Sequence, residues 1–141
     1  MSYFKRIRDY REDNDLTQKE VFQYLQCSES TYRLYEKGKS EIPADKAIAL
    51  AQYYNVTLEY LTGRTDDRQP FTSIKYSIPT MLKLLRRRQH LNQDSIASVL
   101  SCSRSKYAEY EEGRQRISLT MLNMLSDFYG VTLDYICGAA Q

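Results

Sequence analysis

The chain aligns with itself, without a gap, at an offset of 75 residues. Of the 57 pairs from 7/82 to 63/138, 19 are identical, among them Arg11/Arg86, Leu16/Leu91, Gln18/Gln93, Leu25/Leu100, Tyr35/Tyr110, Glu36/Glu111, Gly38/Gly113 and Ile42/Ile117. A match of this length points to a duplicated folding unit. Solenoid repeats are shorter and need at least three copies to bury a core. The 141 residues therefore divide into two small domains, 1–63 and 77–141, each near the lower size limit for an independent core. Between them RTDDRQPFTSIKY (64–76) is polar, holds Pro70 and lacks a helical apolar period, which predicts a linker. Fully extended it would reach about 45 Å, and as a flexible coil roughly 20 Å.

Each unit reads as about five short helices, and no alternating β pattern occurs. Thr17, with Glu20 three residues on, forms a capping-box signature, and Asn92 stands in the same place in the second unit. Ser28 and Ser103 are placed to cap the third helices, which stop near Gly38 and Gly113. Pro43 suits the first turn of a fourth helix, with Ser118 as its counterpart, and Thr57 and Thr132 cap a last short helix. The second and third helices have about eight residues each and a turn of three or four between them. So short a turn forces a steep crossing and holds the third helix out on the surface, as in a helix-turn-helix.

Hydrophobic content of 42% excludes disorder, and no run approaches the roughly 18 apolar residues of a membrane span. The N-terminus has no signal-like apolar stretch, so the expected location is the cytoplasm. Three cysteines, one histidine (His90) and no CxxC pair argue against a disulfide framework or a metal site. Cys27 and Cys102 are equivalent, which suits a packing role. No cofactor motif, P-loop, nucleophile elbow or HExxH is present, so an enzyme is not expected. Net charge is +2; residues 1–63 hold nine basic and ten acidic side chains, residues 77–141 eight and six. The second half is thus the better candidate for a polyanion binder.

LTQKEVFQYLQCSESTYRLYEKGKSEIP with ALAQYYNVTLEYLTG, and LNQDSIASVLSCSRSKYAEYEEGRQRIS with MLSDFYGVTLDYICG, resemble the lambda-repressor/Cro-type (Xre-type) helix-turn-helix domain. The resemblance covers both repeats. It implies an all-α chain of two five-helix DNA-binding domains, a transcriptional regulator of bacterial or phage type, and double-stranded DNA as partner. It also implies base readers at the start of the third helix and one turn on: Glu29, Ser30, Arg33 and Leu34 in repeat one, and Arg104, Ser105, Lys106 and Glu109 in repeat two. Gln18 and Gln93 take the family's phosphate-anchoring place. Lys37, Lys39, Arg114 and Arg116, just behind the reading helices, are further phosphate candidates. Arg11 with Glu36, and Arg86 with Glu111, are implied to be structural ion pairs.

The two repeats differ in what they offer DNA. Arg104 can bond guanine in bidentate fashion, whereas Glu29 repels phosphate and accepts only from cytosine, and Leu34 touches at most a thymine methyl. Where the family carries a small residue at the helix crossing, repeat two has Ala97 and repeat one Phe22, so that ring must widen the crossing or turn outward. The usual turn glycine is replaced by Gln26 and Ser101, a strained choice if the backbone is left-handed. Repeat two is therefore expected to be the main reader. The alternative is a protein-interaction module on the same scaffold, especially for repeat one. Arg87 and Arg88 suit a helix C-terminus, His90 a helix cap, and Tyr32, Tyr35, Tyr54, Tyr107, Tyr110 and Tyr129 the core. A homodimer and a single-chain pseudo-dimer both remain open. No small-molecule ligand is indicated.

Overall fold

The computed structural model describes residues 3–139, with the backbone alone at Tyr3; Met1, Ser2, Ala140 and Gln141, at the outer ends of the two expected domains, lie outside the described residues. The chain divides into two compact units, Met1–Phe71 and Thr72–Gln141. Unit one consists of α1 (Tyr3–Asp13), α2 (Gln18–Leu25), α3 (Glu29–Lys37), α4 (Ala44–Tyr54) and α5 (Leu58–Leu61). Unit two consists of α6 (Ile78–Arg88), α7 (Gln93–Val99), α8 (Arg104–Glu112), α9 (Leu119–Tyr129) and α10 (Leu133–Ile136). Among the described residues there is no strand; an isolated antiparallel bridge joins Ile74 and Ala139. None of these helices is long and apolar enough to cross a membrane.

Capping sets where most of the helices begin. Hydroxyls of Thr17, Ser28, Thr57, Ser77, Ser103, Ser118 and Thr132, and the Asn92 amide oxygen, each accept a backbone N–H three residues on. Each such cap is worth about 1 kcal/mol. Pro43 differs from its sequence reading. It occupies the N-cap itself with extended backbone and no side-chain bond, so helix begins at Ala44.

The cores repeat with the sequence. Ile7, Val21, Leu25, Tyr32, Tyr35, Ile42, Ala47, Leu50, Leu58 and Leu61 are buried in unit one, and each residue 75 positions on is buried in unit two. Each large apolar side chain contributes roughly 1.5–3 kcal/mol on burial. The backbone repeats as closely. All ten described residues with positive φ fall into pairs 75 apart: Asp15/His90, Gln26/Ser101, Gly38/Gly113, Asn55/Gly130 and Gly63/Gly138. Gln26 and Ser101 are thus left-handed at φ 57° and 55°, a non-glycine conformation that costs about 1 kcal/mol. His90, at φ 56°, makes the turn beyond α6 rather than the last turn of the helix. Phe22 lies half-buried, whereas Ala97 is buried. The ring keeps part of its surface in solvent.

The polar segment 64–76 is shared between the units. Asp66 pairs with Arg6 (2.8 Å), Arg64 pairs with Glu59 (2.9 Å), and the Gln69 carbonyl accepts the Thr57 N–H (3.1 Å). These contacts fasten residues 64–71 to unit one. In unit two the Lys75 and Tyr76 N–H groups both donate to the Gly138 carbonyl, at 2.8 and 3.1 Å.

That approach requires glycine at 138. A Cβ there would lie 1.8 Å from the Tyr76 carbonyl oxygen, at φ +102°. At Gly130, φ +67°, a Cβ would meet nothing within 4 Å, and unit one carries Asn55 in the same place. Gly130→Ala should therefore cost about 1 kcal/mol, and Gly138→Ala about 2–3 kcal/mol because two backbone bonds are also disturbed. Urea unfolding midpoints of the two variants check this ordering.

Candidate nucleic-acid interface

α3 and α8 follow their predecessors after short turns. The Cys27 N–H donates back to the Phe22 carbonyl (3.1 Å) and the Cys102 N–H to the Ala97 carbonyl (3.0 Å). Cys27 and Cys102 are half-buried there. On each third helix the i, i+3, i+4 face points inward: Tyr32, Tyr35 and Glu36, and Tyr107, Tyr110 and Glu111, are buried. The opposite face is left to solvent. Ser28, Glu29, Ser30, Arg33 and Leu34 are exposed in unit one, and Ser103, Arg104 and Ser105 in unit two.

Beneath each third helix lies the same polar assembly. Arg11 donates through Nε to Glu36 Oε2 (2.6 Å) and through Nη2 to Oε1 (3.0 Å), while its Nη1 reaches the Leu16 carbonyl (2.8 Å). Arg86 repeats this with Glu111 (2.6 and 3.0 Å) and the Leu91 carbonyl (3.0 Å). The two guanidiniums thus tie α1 to α3 and α6 to α8. Burial raises the Glu36 and Glu111 carboxyls, but bonds from the arginine and glutamine outweigh it and hold both below the usual carboxylate range. The buried hydroxyls of Tyr54 and Tyr129, again 75 apart, have no hydrogen-bond partner among the described residues.

Gln18 and Gln93, expected at phosphate, are engaged in this assembly. Each donates through Nε2 to Oε1 of Glu36 or Glu111, at 3.1 and 3.2 Å. An amide nitrogen has two hydrogens, so one donor per glutamine is left for phosphate.

The exposed faces differ electrically. In unit one Glu29 and Arg33 form an i,i+4 ion pair, and Arg33 Nε also reaches Gln18 Oε1 (3.3 Å). In unit two the matching positions are Arg104 and Ala108. Arg104 is exposed and has no ion-pair partner among the described residues. Lys106 is drawn back from the tip: its Nζ donates to Gln115 Oε1 (3.2 Å) and lies 5.9 Å from the Tyr110 ring centre. Glu109 is half-buried. Arg114 pairs with Glu112, and Arg116, Lys37 and Lys39 are exposed. Sequence reasoning missed the Glu29–Arg33 pair, although four-residue spacing of opposite charges announces it. It also missed Lys5 and Arg8 of α1, which only the packing of α1 on α3 brings beside Arg33 and Lys37.

Comparison with known proteins agrees with this architecture. The Helix-turn-helix family profile matches residues 7–61, and a Helix-turn-helix domain profile matches residues 80–135. An uncharacterized HTH-type transcriptional regulator, YobD of Bacillus subtilis (strain 168), is 34% identical over 68 residues, covering 48% of this chain and 61% of that protein. The cryptic phage CTXphi transcriptional repressor RstR of Vibrio cholerae is 24% identical over 112 residues, covering 78% of this chain and 96% of that protein. The chain thus spans about three-fifths of the first relative and nearly all of the second. No solved structure matches it significantly. With five helices in each half and a helix-turn-helix at the centre of each five, the chain belongs to the helix-turn-helix family, of which it carries two domains in tandem.

Proposed function

We propose that the protein is a DNA-binding transcriptional regulator, acting as a repressor, in which α8 of unit two reads base edges in the major groove. The carrying observation is the state of Arg104. It stands at the first turn of α8, exposed and without an ion-pair partner among the described residues, where a guanidinium can meet guanine O6 and N7. A cation at a helix N-terminus opposes the macrodipole, so the position favours an anion on stability grounds alone. Holding an arginine there suits an external anionic partner. In unit one the same position is Glu29, closed on Arg33, and its neighbour Leu34 is 41% exposed. That surface favours a weaker reader or a docking face for unit one. Both relatives named above are described as transcriptional regulators or repressors, which supports the same reading.

Electrophoretic shift titrations test it, comparing a duplex selected for tight binding with a scrambled duplex. Arg104→Ala should reduce the preference between the two by about 10- to 100-fold, corresponding to roughly 1–3 kcal/mol of base discrimination. Arg116→Ala should instead weaken both duplexes alike and flatten the salt dependence by about one unit. An unchanged preference in Arg104→Ala would remove α8 from base reading and leave the interaction module as the better description.

A further inference from the structure

We infer that unit one carries an oligophosphate-binding cleft between α1 and α3. The cleft has a volume of about 710 Å³, within the range of roughly 300–1,000 Å³ typical of ligand sites. Lys5 and Arg8 line it from α1, Arg33 and Lys37 from α3, and Lys39 from the turn beyond. Arg8 is partly neutralised by Glu12 (2.9 Å) and Arg33 by Glu29. Lys5, Lys37 and Lys39 have no ion-pair partner among the described residues, and all three are exposed. Three uncompensated ammonium groups around one concavity make a focused positive potential.

The walls are held by contacts independent of any ligand. The Arg11–Glu36 pair, 11% and 3% exposed, clamps α1 against α3 and contributes to the cleft lining. Phe4 adds an apolar wall and lies over Gly38, where a Cβ would come within 2.6 Å of its ring. Glycine at 38 therefore lets α1 sit close to the lysine-bearing turn.

Duplication supplies an internal comparison. At the places of Lys5, Arg8, Arg33, Lys37 and Lys39, unit two has Thr80, Lys83, Ala108, Glu112 and Arg114. Five cations become two, and one position turns acidic. The common scaffold does not require this charge, because unit two folds around the same ion pair without it. The ligand fitting several ammonium groups around one small concavity is a compact run of phosphates. One strand of a nucleic-acid duplex supplies that chemistry, a source that rests on the DNA reading above; a free oligophosphate supplies it independently of that reading.

Calorimetric titration of the full chain with tripolyphosphate at about 0.15 M salt, a strongly screening condition, tests the cleft. The same samples are then titrated with scrambled duplex across a salt series. The triple variant Lys5→Gln/Lys37→Gln/Lys39→Gln keeps stem length and helix propensity while removing the charges. Wild type should bind one tripolyphosphate per chain, the triple variant should lose at least tenfold in affinity, and Arg104→Ala should bind it as wild type does. A failure of base reading in Arg104→Ala with tripolyphosphate binding intact would thus leave the cleft standing. With duplex, the triple variant should flatten the slope of log K against log salt by about two to three units. Loss in both titrations supports the cleft, whereas loss with duplex alone reduces Lys5, Lys37 and Lys39 to separate backbone contacts and overturns it. An unchanged affinity and slope in the triple variant overturns the proposal.

Discussion

Glu111→Ala is expected to destabilise unit two by about 3–5 kcal/mol, the cost of leaving one partner of a buried ion pair behind. Glu111 and Arg86 side chains are 1% and 13% exposed, and the carboxylate accepts from both Arg86 nitrogens and from Gln93. Removing it strands a nearly buried guanidinium and releases the tie between α6 and α8. A domain of this size has a stability of only several kcal/mol, so the loss should lower the midpoint of unit two by on the order of 20 °C. Hydrogen exchange resolves the effect by unit. Amides of α6–α8 should lose protection while those of α1–α3 keep it, and Glu36→Ala should give the reverse.

The same carboxylates make stability acid-sensitive in a definite direction. Their folded pKa values are lowered, so the pairs contribute in full above the unfolded value of about 4.3. That contribution is lost as pH falls through the lower folded values. Glu111→Gln should therefore be less stable at neutral pH yet flatter between about pH 5 and 2 in unit two. Unfolding midpoints measured across that interval check the slope.

Arg104→Glu should move stability and DNA affinity in opposite directions. At the first position of α8 a carboxylate complements the positive end of the helix, and exchanging cation for anion should stabilise unit two by about 0.5–1 kcal/mol. Unit one already shows the arrangement, with Glu29 at this position. On DNA the variant loses the bidentate guanine contact, worth about 1–3 kcal/mol, and adds repulsion from phosphate. A drop in affinity of at least roughly 100-fold is expected for the selected duplex. Thermal melts read the first effect and shift titrations the second. A purely structural Arg104 would lower stability on substitution and leave affinity alone.

Much of this architecture is local and was legible in sequence. Caps, left-handed turns and the inward face of α3 and α8 depend on residues within four positions of each other, and the repeat tests each of them twice. The buried Arg–Glu pairs were legible through family resemblance, since nothing local announces a contact between residues 25 apart. The segment 64–76 reads as a linker because its polar residues lack periodicity, and what holds it in place is not legible. Its attachments run to Arg6, Thr57 and Gly138, at separations no local pattern encodes. Gln18 and Gln93 carry the right chemistry for phosphate, but nothing local announces that their amides also hold Glu36 and Glu111, 18 residues away. The cleft was hidden for the same reason: Lys5 and Lys37 become neighbours only when α1 packs on α3.

Selection of bound sequences from random duplex DNA, run in parallel on wild type and Arg104→Ala, bears most directly on whether α8 reads bases. Wild type should enrich a motif with a fixed guanine, and the variant should lose preference at that base while keeping the flanking ones. Failure of wild type to enrich any motif, or recovery of an identical motif by the variant, would contradict a reading role for α8.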